Sequence, residues 1–451
     1  MRIKIIHILS HSPGEGYNID LHDPNCPLPP HYFKTATPPH WVGFFEKDFH
    51  ILIANEIEKQ APDIQQECWR PYDVADRVYS KVINGITHRL FPSKKVRLGR
   101  FILGERSTLM IQRLREIVEQ GNVIVHLHGL HKVMFYRFFR KAGLNKVPVF
   151  TTQRGDGYPT FFIKRKPWLA LKWLVEEVLY RQIDHFFIQS SVEYDYLAHK
   201  YGNERVTQLQ DGLSFQEFNP PAREESRKCL GIPESAKVLL YIGQYDTRKG
   251  VENILWAFRQ LKMGHPPGND VSPGIVPDAD IEGSEEEGSQ FTSGNEELGG
   301  DRDIRLYMIG GHTSNELYAE ARECGAILLP RIAKSELMKY YSSADLCLYP
   351  TSNQFVRNFA GISNANIESL ACGTPIYTSQ LIHFMGTNEE KKKVGVQFEK
   401  REDMLREITG MLEHPERYSD CREIARKYYD RSRSARTIIA TYRKEWDRQF
   451  G

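Results

Sequence analysis

The fold is decided by the stretch KVLLYIGQYDTRKGVENILWAF at residues 237–258. Its beginning is apolar at nearly every position, which is typical of a strand buried on both faces of a parallel sheet. A polar turn follows, and apolar residues recur at helical spacing after Gly250. The stretch therefore predicts a strand, a turn and a helix of a parallel α/β sheet.

The same alternation of short apolar runs and helical patterns extends over much of the chain, so we predict an α/β protein built from βαβ units. The alternation restarts at Lys237 after a turn-rich connection, which predicts two Rossmann-like domains facing across a cleft. We place them at 1–208 and 209–430, followed at 431–451 by a helix whose apolar stripe needs a surface to pack on. The other predicted strands are 3–9, 123–129, 147–152, 185–190, 304–310, 345–350 and 374–379.

Charge is distributed unevenly along an otherwise ordinary globular composition of 451 residues, 40% hydrophobic and 26% charged. The formal charge is +2, but residues 264–303 alone carry −10, which leaves +12 for the rest. A mildly basic folded part suits an anionic ligand or membrane surface, and ordinary surface solvation explains it equally well. Because 264–303 is rich in Gly, Pro, Ser and acids, we predict a disordered insertion that is neutral for activity.

Seven scattered cysteines without a Cys-x-x-Cys pair argue against a disulfide framework or a structural zinc site and favour a reducing cytosol. The start MRIKIIHILS reads as a buried first strand rather than a signal peptide. No run reaches the roughly 18 apolar residues that a membrane span needs. We therefore predict a cytoplasmic protein, and we expect no nucleic-acid partner.

Two loops carry candidate groups for an anionic ligand. Arg248 and Lys249 follow a predicted strand, where cations at the carboxyl edge of a parallel sheet can meet a diphosphate. The stretch NFAGISNANIESLACGTP (358–375) predicts a helix whose free N–H groups and dipole favour an anion. Glu368, about one turn inside that helix, could accept hydrogen bonds from a ribose diol. Taken singly, a solvated turn and an ordinary N-cap explain both loops as well.

As a set, these motifs resemble the C-terminal domain of the family-4 glycosyltransferases, which are retaining enzymes of the GT-B fold. The family pattern is G-R-x-x-x-x-K-G, then a strand ending in G, then E-L-x-x-x-Y-x-x-A-D-x-x-x-x-P, then E-G-F-G/S-x-x-x-x-E-A-x-A-C-G-x-P. This chain has GQYDTRKG, LYMIGG, ELMKYYSSADLCLYP and AGISNANIESLACGTP. LQDGLSFQEFNP is similar to the family's hinge, N-G-V-D-x-x-x-F-x-P. The resemblance covers about 209–262 and 304–380 and is fainter before that.

The resemblance implies a binding site for a nucleotide-diphosphate sugar donor. By matching position, Lys249 would contact the diphosphate and Glu368 the ribose. The other donor-binding candidates are Gly14 and Gly16 in the loop after the first strand, Gln244, Arg331 and Ile332 beside the base, Arg357, and Gly361, Ser363, Asn364 and Ala365 at the helix start.

Two positions depart from the family pattern. Gln244 stands where the family has arginine, and Ala360 stands where it has the first acid of a Glu-x7-Glu pair that lies near the donor sugar. Both changes fall at the reaction centre that the resemblance implies. We predict that Arg248 or Arg357 supplies the missing cation.

The first half of the chain shows fainter matches. VIVHLHGLH (123–131) is similar to the family's strand that ends in a histidine facing the donor sugar, and His128 occupies that position. Together with His126 and His131 it could also indicate a metal site. We discount a metal because strand-end histidines are often structural and because the family binds its donor without one. We likewise expect no cofactor.

Two further candidates come from loops and a basic helix. Arg154 and Asp156 follow the next predicted strand and would contact acceptor or sugar, with a buried ion pair as an equal alternative. Residues 161–180 combine Lys and Arg with Trp and Leu, which favours an interfacial helix, although a core helix with a basic end fits about as well. The resemblance favours the interfacial helix, and therefore peripheral membrane contact, because many relatives use lipid-linked acceptors.

The resemblance implies a retaining hexosyltransferase that moves a hexose from a nucleotide-diphosphate sugar to a hydroxyl of a glycan or lipid-linked glycan. Its catalytic candidates are His128, Lys249 and Arg248, and its last helix would cross back onto the first domain. Two alternatives stay open. One is a sugar-nucleotide epimerase of the same fold, and the other is a degenerate, non-catalytic nucleotide-sugar-binding protein, which Gln244 and Ala360 would fit.

Overall fold

The computed structural model describes residues 3–9, 49–73, 75–98, 101–129, 139–153, 174, 177–264, 303–311 and 314–451. Within these residues the chain forms two parallel sheets and one small hairpin. The strands before residue 210 are β1 (Lys4–Leu9), β2 (Gln65–Tyr72), β3 (Tyr79–Ile83), β4 (Ile86–Pro92), β5 (Lys94–Leu98), β6 (Phe101–Arg106), β7 (Ile124–His128), β8 (Val149–Gln153), β9 (His185–Ile188) and β10 (Val206–Gln208).

The first sheet has the strand order β10-β9-β8-β7-β1-β2-β4-β3, and all its pairs are parallel except β3 with β4. The strands β5 and β6 form the separate antiparallel hairpin. Among the described residues, the helices that accompany these strands include α1 (Phe49–Gln60), α2 (Thr108–Gln120) and α3 (Ser191–Tyr201).

The second sheet has the order β13-β12-β11-β14-β15-β16 and is parallel throughout, with β11 (Lys237–Ile242), β12 (Ile304–Ile309), β13 (Ile327–Leu329), β14 (Leu346–Tyr349), β15 (Ile376–Thr378) and β16 (Gly395–Gln397). The remaining helices are α4 (Arg223–Leu230), α5 (Val251–Lys262), α6 (Asn315–Glu323), α7 (Lys334–Ser343), α8 (Gln354–Phe359), α9 (Asn364–Ala371), α10 (Asn388–Val394), α11 (Arg401–Glu413), α12 (Cys421–Tyr429) and α13 (Arg431–Phe450).

The predicted α/β architecture with two Rossmann-like domains is confirmed. All eight strands predicted from apolar runs are present, with ends within about two residues of the predicted ones. The deciding stretch forms β11 and α5, and Val251, Ile254, Leu255 and Phe258 of that helix are buried in the core of the second sheet. Burial of each such side chain contributes about 1.5–3 kcal/mol, so this one face fixes the helix against the sheet.

The second sheet has a topological switch point between β11 and β14. The chain adds β12 and β13 on one side of β11 and then returns to add β14, β15 and β16 on the other side. The loops after β11 and β14 therefore leave the sheet in opposite directions and open a crevice at its carboxyl edge. In open α/β sheets this is where ligands bind.

The last helix returns to the first domain, as predicted. Ile438, Ile439 and Tyr442 of α13 are buried in one cluster with Phe150 and Phe187 of the first sheet. Ion pairs at the rim, such as Arg448 with Asp184 at 3.0 Å, add little because they are exposed. The apolar stripe of α13 thus ties the end of the chain to the sheet formed by its beginning.

Several sequence predictions lie outside the described residues. They are those for Gly14, Gly16, His131, Arg154 and Asp156, for nearly all of the insertion at 264–303, and for most of the basic helix at 161–180. Among the helices of the described residues, none combines the length and the apolar character needed to cross a membrane.

Candidate functional site

The loops after β11 and β14 are bonded to each other across the switch point. The Thr351 hydroxyl donates to the carbonyl of Arg248, and the Asn253 amide donates to the carbonyl of Pro350 at 2.8 Å. Gly250 has φ +76°, and a Cβ on it would lie 2.1 Å from the Pro350 carbonyl oxygen. Only glycine permits this approach. The basic turn is therefore fixed in place beside the loop after β14.

Lys249 is the second cation of this turn. Its side chain is exposed to solvent, yet enough protein surrounds the ammonium group that desolvation lowers its pKa. The charge of Arg248 lowers the pKa further, and Asp246 offsets part of the effect. Among the described carboxylates, none lies within ion-pairing distance of Lys249. An anionic ligand in the crevice would therefore meet a cation that is not already neutralised by a salt bridge.

Arg248, in contrast, is paired within the turn. Its guanidinium donates to both oxygens of Asp246, at 2.6 and 3.0 Å to Oδ2 and 3.2 Å to Oδ1. The backbone N–H of Arg248 donates to Asp246 as well, at 2.8 Å. These bonds lower the pKa of Asp246 and keep the carboxylate ionised. The pair gives the turn its shape and leaves Lys249 as its uncompensated charge.

The start of α9 has the geometry of an N-capped helix. The Ser363 hydroxyl accepts from the N–H of Asn366 at 3.3 Å, so this side chain caps the helix as the ordinary interpretation expects. Asn364 is exposed and Ala365 is half-buried. The first N–H groups of a helix lack partners within it, and the dipole places partial positive charge there. The capped end therefore still suits a phosphate.

Glu368 is held by two groups that the sequence analysis did not identify. Lys334 Nζ lies 3.0 Å from its Oε1, and the Tyr341 hydroxyl lies 3.3 Å from its Oε2. Lys334 begins α7, two residues after Ile332, which packs half-buried against the second core, and close to exposed Arg331. The fold thus brings Glu368 next to the loop that was predicted to lie beside the base. No local pattern in the sequence indicates this pairing.

The two departures from the family pattern lie near these groups but differ in their surroundings. Gln244 is half-buried, and its carbonyl accepts from the Tyr241 hydroxyl at 2.6 Å. Ala360 ends α8 and is half-buried. Arg357, one of the proposed replacements for the lost cation, binds the carboxylate and the carbonyl of Glu399. Its charge is therefore largely neutralised where it stands.

The first domain touches the second at this same place. The Ser190 hydroxyl, at the end of β9, donates to the carbonyl of Asn358 at 2.6 Å. Gly361 has φ +64°, and a Cβ on it would lie 2.9 Å from Cβ of Gln189 and 3.1 Å from Nε2 of Gln210. The turn between α8 and α9 is thus in close contact with the end of the first sheet.

The carboxyl edge of the first sheet carries a buried histidine cluster made of His7, His126 and His128. Nδ1 of His7 lies 3.1 Å from Nε2 of His128, and the rings of His126 and His128 stack at 4.4 Å. All three residues are buried, and burial lowers the pKa of His7 to about 4. The cluster is therefore uncharged at His7 at neutral pH.

The three histidines have nitrogen atoms within 4.8 Å of one another, so they are the group of described residues that could surround a metal ion. The geometry fits a hydrogen-bond network better. The nitrogens of His126 face the Tyr442 hydroxyl and Thr152 Oγ1, the latter at 2.7 Å, and its ring is stacked on His128 rather than converging with it. The sequence prediction grouped His126 and His128 with His131. In the structure the third histidine of the cluster is His7, which that prediction did not include.

Sequence comparison finds similar proteins for the second half of the molecule. Residues 296–428 match the family Glycosyl transferases group 1. The chain is 25% identical over 223 residues to D-inositol 3-phosphate glycosyltransferase from Thermobispora bispora, a match that covers 47% of this chain. It spans about half the length of the curated relatives that it matches, 43% in this case.

Structure comparison identifies the fold of the whole molecule. Sucrose-phosphate synthase from Thermosynechococcus elongatus superposes with a TM-score of 0.61 at 14% identity, covering 98% of both chains. Anabaena Alr3699/HepE in complex with UDP-glucose superposes with a TM-score of 0.55 at 12% identity, covering 98% of this chain and 99% of the other. The chain has the GT-B fold, as the sequence motifs predict.

Proposed function

We propose that the protein is a retaining glycosyltransferase that moves a hexose from a nucleotide-diphosphate sugar to a hydroxyl of a glycan or lipid-linked glycan. One observation carries the proposal. The loops after β11 and β14 are bonded together at the switch point, and they bring Lys249, the start of α9 and Glu368 to one edge of the sheet. The match of 296–428 to the Glycosyl transferases group 1 family includes the start of α9 and Glu368 and supports that part of the site, whereas Lys249 precedes the matched range.

Each group has a role that its surroundings support. Lys249 and the N–H groups of α9 bind the diphosphate, whose negative charge increases as the bond to the sugar breaks in an oxocarbenium-like transition state. Glu368 accepts from the ribose hydroxyls, and Lys334 holds its carboxylate in position. The departing phosphate takes the proton of the acceptor, so no separate general base is required.

The first domain contributes the sugar side of the site. His128 accepts from a sugar hydroxyl, and Arg154 and Asp156 contact the acceptor or the sugar. Of the two candidates for the cation that Gln244 lacks, Arg248 is the better one, because it is exposed and adjoins Lys249. Its pair with Asp246 would have to open when the donor binds. Arg357 is the weaker candidate because Glu399 already holds it.

The experiment is a panel of UDP-, GDP- and ADP-sugars tested first for binding by thermal shift and then for turnover. We expect one nucleotide class to stabilise the protein and its sugar to be slowly hydrolysed, with the first product keeping the anomeric configuration of the donor by NMR. An epimerised nucleotide sugar would replace the proposal with the epimerase. The absence of binding by every donor would replace it with the degenerate protein.

We also propose that the protein works in the cytoplasm against a membrane surface, through the helix at 161–180. Leu174 and Val178, four residues apart within this predicted helix, are 55% and 56% exposed, and this spacing would place both apolar side chains on one helix face. Flotation with anionic liposomes at low salt tests this. We expect the wild-type protein to float with the liposomes and the double variant Leu174→Glu, Val178→Glu to remain in the unbound fraction. Wild type that does not float would contradict the proposal.

A further inference from the structure

The start of α3 in the first domain faces a buried histidine of the second domain. Ser190 caps this helix by accepting from the N–H of Glu193 at 3.3 Å, so Ser191 is its first residue. His383 ends a short 3-10 turn that follows β15, and it is fully buried. The Ser191 N–H donates to Nδ1 of His383 at 3.2 Å. This hydrogen bond joins the two domains at the carboxyl edges of their sheets.

The partners of His383 decide which of its nitrogens carries the proton. A backbone N–H can only donate, so Nδ1, which faces Ser191, has no hydrogen. Nε2 lies 2.5 Å from the carbonyl oxygen of Arg357, which can only accept, so Nε2 carries the hydrogen. The ring is therefore neutral. Burial lowers the pKa of His383 to about 4 despite the opposing effect of the bond to Arg357, in agreement with this neutral form.

The start of α3 suits a neutral acceptor. The first N–H groups of a helix have no partner within it, and the helix dipole places partial positive charge there. An imidazole lone pair satisfies such a group, whereas an imidazolium would bring a second hydrogen and a like charge to it. The Ser191 hydroxyl, 3.0 Å from Nδ1 and 3.2 Å from the Ile382 carbonyl, can donate to either one. The contact thus depends on the acceptor at Nδ1.

The other side of the ring holds the end of α8. Nε2–H of His383 donates to the carbonyl of Arg357. The Ser190 hydroxyl donates to the next carbonyl, that of Asn358, at 2.6 Å. Carbonyls in the last turn of a helix lack partners within the helix. Two consecutive residues at the start of α3 therefore hold two consecutive carbonyls at the end of α8, one directly and one through His383.

This end of α8 leads directly into the proposed phosphate site. Gly361, in the turn that follows, lies against Gln189 of the first domain, and Ser363 then caps α9. The backbone that carries the first N–H groups of α9 is thus continuous with the carbonyls that the first domain holds. A shift at the start of α3 would be passed on to the start of α9.

We infer that His383 is a positioning residue that bridges the two domains: it accepts from the first N–H of α3, donates to the end of α8, and thereby fixes the start of α9 where the diphosphate binds. The last part rests on the proposed function, whereas the bridge rests on the hydrogen bonds alone. No local pattern in the sequence indicates this contact, because the partners of His383 come from α3 and α8.

Hydrogen exchange of the Ser191 amide, resolved by NMR, tests the bridge. We expect this N–H to exchange at least about tenfold more slowly than that of Thr108, the first residue of α2, because such an N–H has no partner within its helix. The protection should persist in His383→Asn, whose Oδ1 takes the place of Nδ1, and in Ser191→Ala, which keeps the N–H. It should be lost in His383→Gln, whose amide reaches only the position of Nε2.

Ligand binding tests what the bridge positions. UDP, GDP and ADP are titrated alongside uridine, guanosine and adenosine, and the affinity gained from the diphosphate is compared between variants. We expect this gain to fall by about tenfold in His383→Gln and in Ser191→Pro, while the nucleoside binds as it does to wild type.

The proline variant removes the N–H without breaking α3. Proline is favoured as the first residue of a helix, and Ser190, with φ −81° and ψ 131°, already has the extended backbone that precedes a proline. Ser191→Ala is the matched control, which loses the hydroxyl alone, and it should bind both kinds of ligand as wild type does.

The outcomes separate the bridge from the proposed function. A Ser191 amide that exchanges as fast as that of Thr108 in wild type, or protection that survives in His383→Gln, would overturn the inference. So would an unchanged gain from the diphosphate, or an equal loss for nucleoside and diphosphate, which a purely structural role would produce. A protected Ser191 amide in a protein that binds none of the three diphosphates would support the bridge and contradict the proposed function.

Discussion

The two sheet edges that face the cleft are built on opposite electrostatic principles. At the edge of the second sheet the polar groups are exposed or half-exposed and charged, as in Lys249, the Arg248–Asp246 pair and the Lys334–Glu368 pair. At the edge of the first sheet the histidines are buried, and burial lowers the pKa of His7 to about 4, which keeps that side chain neutral.

This difference matches the two ends of a nucleotide sugar. A diphosphate carries charge, and charge is best met by cations and helix dipoles that remain partly hydrated. A hexose carries hydroxyls, which are best recognised by directional hydrogen bonds from groups whose protonation is fixed. The two edges should therefore respond differently to mutation.

The largest loss of transfer activity is expected when Lys249, at the charged edge of the second sheet, is replaced. Lys249→Met is expected to lower the rate of transfer by about 100- to 1,000-fold, because the cation stabilises the charge that develops on the leaving diphosphate. Steady-state kinetics with the donor found in the panel measures this. Lys228→Met, which removes an equally exposed lysine from α4, is the control. A loss in the control as large as in the variant would show that net charge, rather than the site, is responsible.

A side chain at Gly361 should destabilise the contact between the turn that joins α8 to α9 and the end of the first sheet. Gly361→Ala is expected to lower the free energy of unfolding by about 2 kcal/mol, since it strains a left-handed backbone and presses on Gln189 and Gln210. Urea unfolding compares it with Gly410→Ala in α11, where a Cβ meets nothing within 4 Å and alanine favours the helix. Equal stability of the two variants would mean that the domains do not meet as described.

The ribose contact should be visible as a difference between nucleotides. Glu368→Gln is expected to weaken binding of a ribonucleoside diphosphate by about tenfold, the loss of one charge-assisted hydrogen-bond pair, and to leave a 2′,3′-dideoxy analogue unaffected. Calorimetric titration measures both ligands. Glu336→Gln, which breaks an exposed pair with Lys339 on α7, is the matched control. If both ligands weakened equally, Glu368 would have a structural role only.

The neutral histidines should make the protein sensitive to acid. Burial lowers the pKa of His7, His185 and His383 to about 4, against 6.5 for the ordinary side chain. Below pH 6.5 the unfolded chain takes up protons on these histidines, while the folded chain does so only near pH 4. The free energy of unfolding should therefore fall as the pH drops from 6.5 to 4.

Replacing one of these histidines should flatten this pH dependence. His185→Phe is expected to remove on the order of 1 kcal/mol of the decrease between pH 6.5 and 4 relative to wild type. Urea unfolding of the variant and of wild type at several pH values measures this. A slope in His185→Phe that equals the wild-type slope would show that this histidine is not kept neutral by the fold.

Four of the six strands of the second sheet, β11, β12, β14 and β15, could be predicted because they are continuous apolar runs, whereas the three-residue strands β13 and β16 are too short to show such a pattern. β2 could not, because its sequence QQECWRPY is polar. Its Glu67 is nevertheless buried, and hydrogen bonds from Lys4, Arg89 and Trp69 outweigh the effect of burial and lower its pKa to about 2. Such a strand is stabilised by partners that are distant in sequence, so neither composition nor periodicity identifies it.

The residues of the candidate site also differ in whether the sequence alone predicts them. Lys249 and Glu368 could be proposed because their motifs are local, whereas Lys334 and His7 could not, because their partners lie 34 and 121 residues away. Strand order was the missing information: once β1 lies beside β7, His7 pairs in register with His126 and reaches His128. The placement of Lys249 and Glu368 in a donor site is still a prediction.

The central claim is that the loops after β11 and β14 bind the donor together. Its most direct test is hydrogen exchange measured with and without the nucleotide diphosphate that binds best. We expect peptides covering 243–251 and 361–368 to gain protection together, with α4 unchanged. Protection of only one of these segments, or of neither, would contradict the claim.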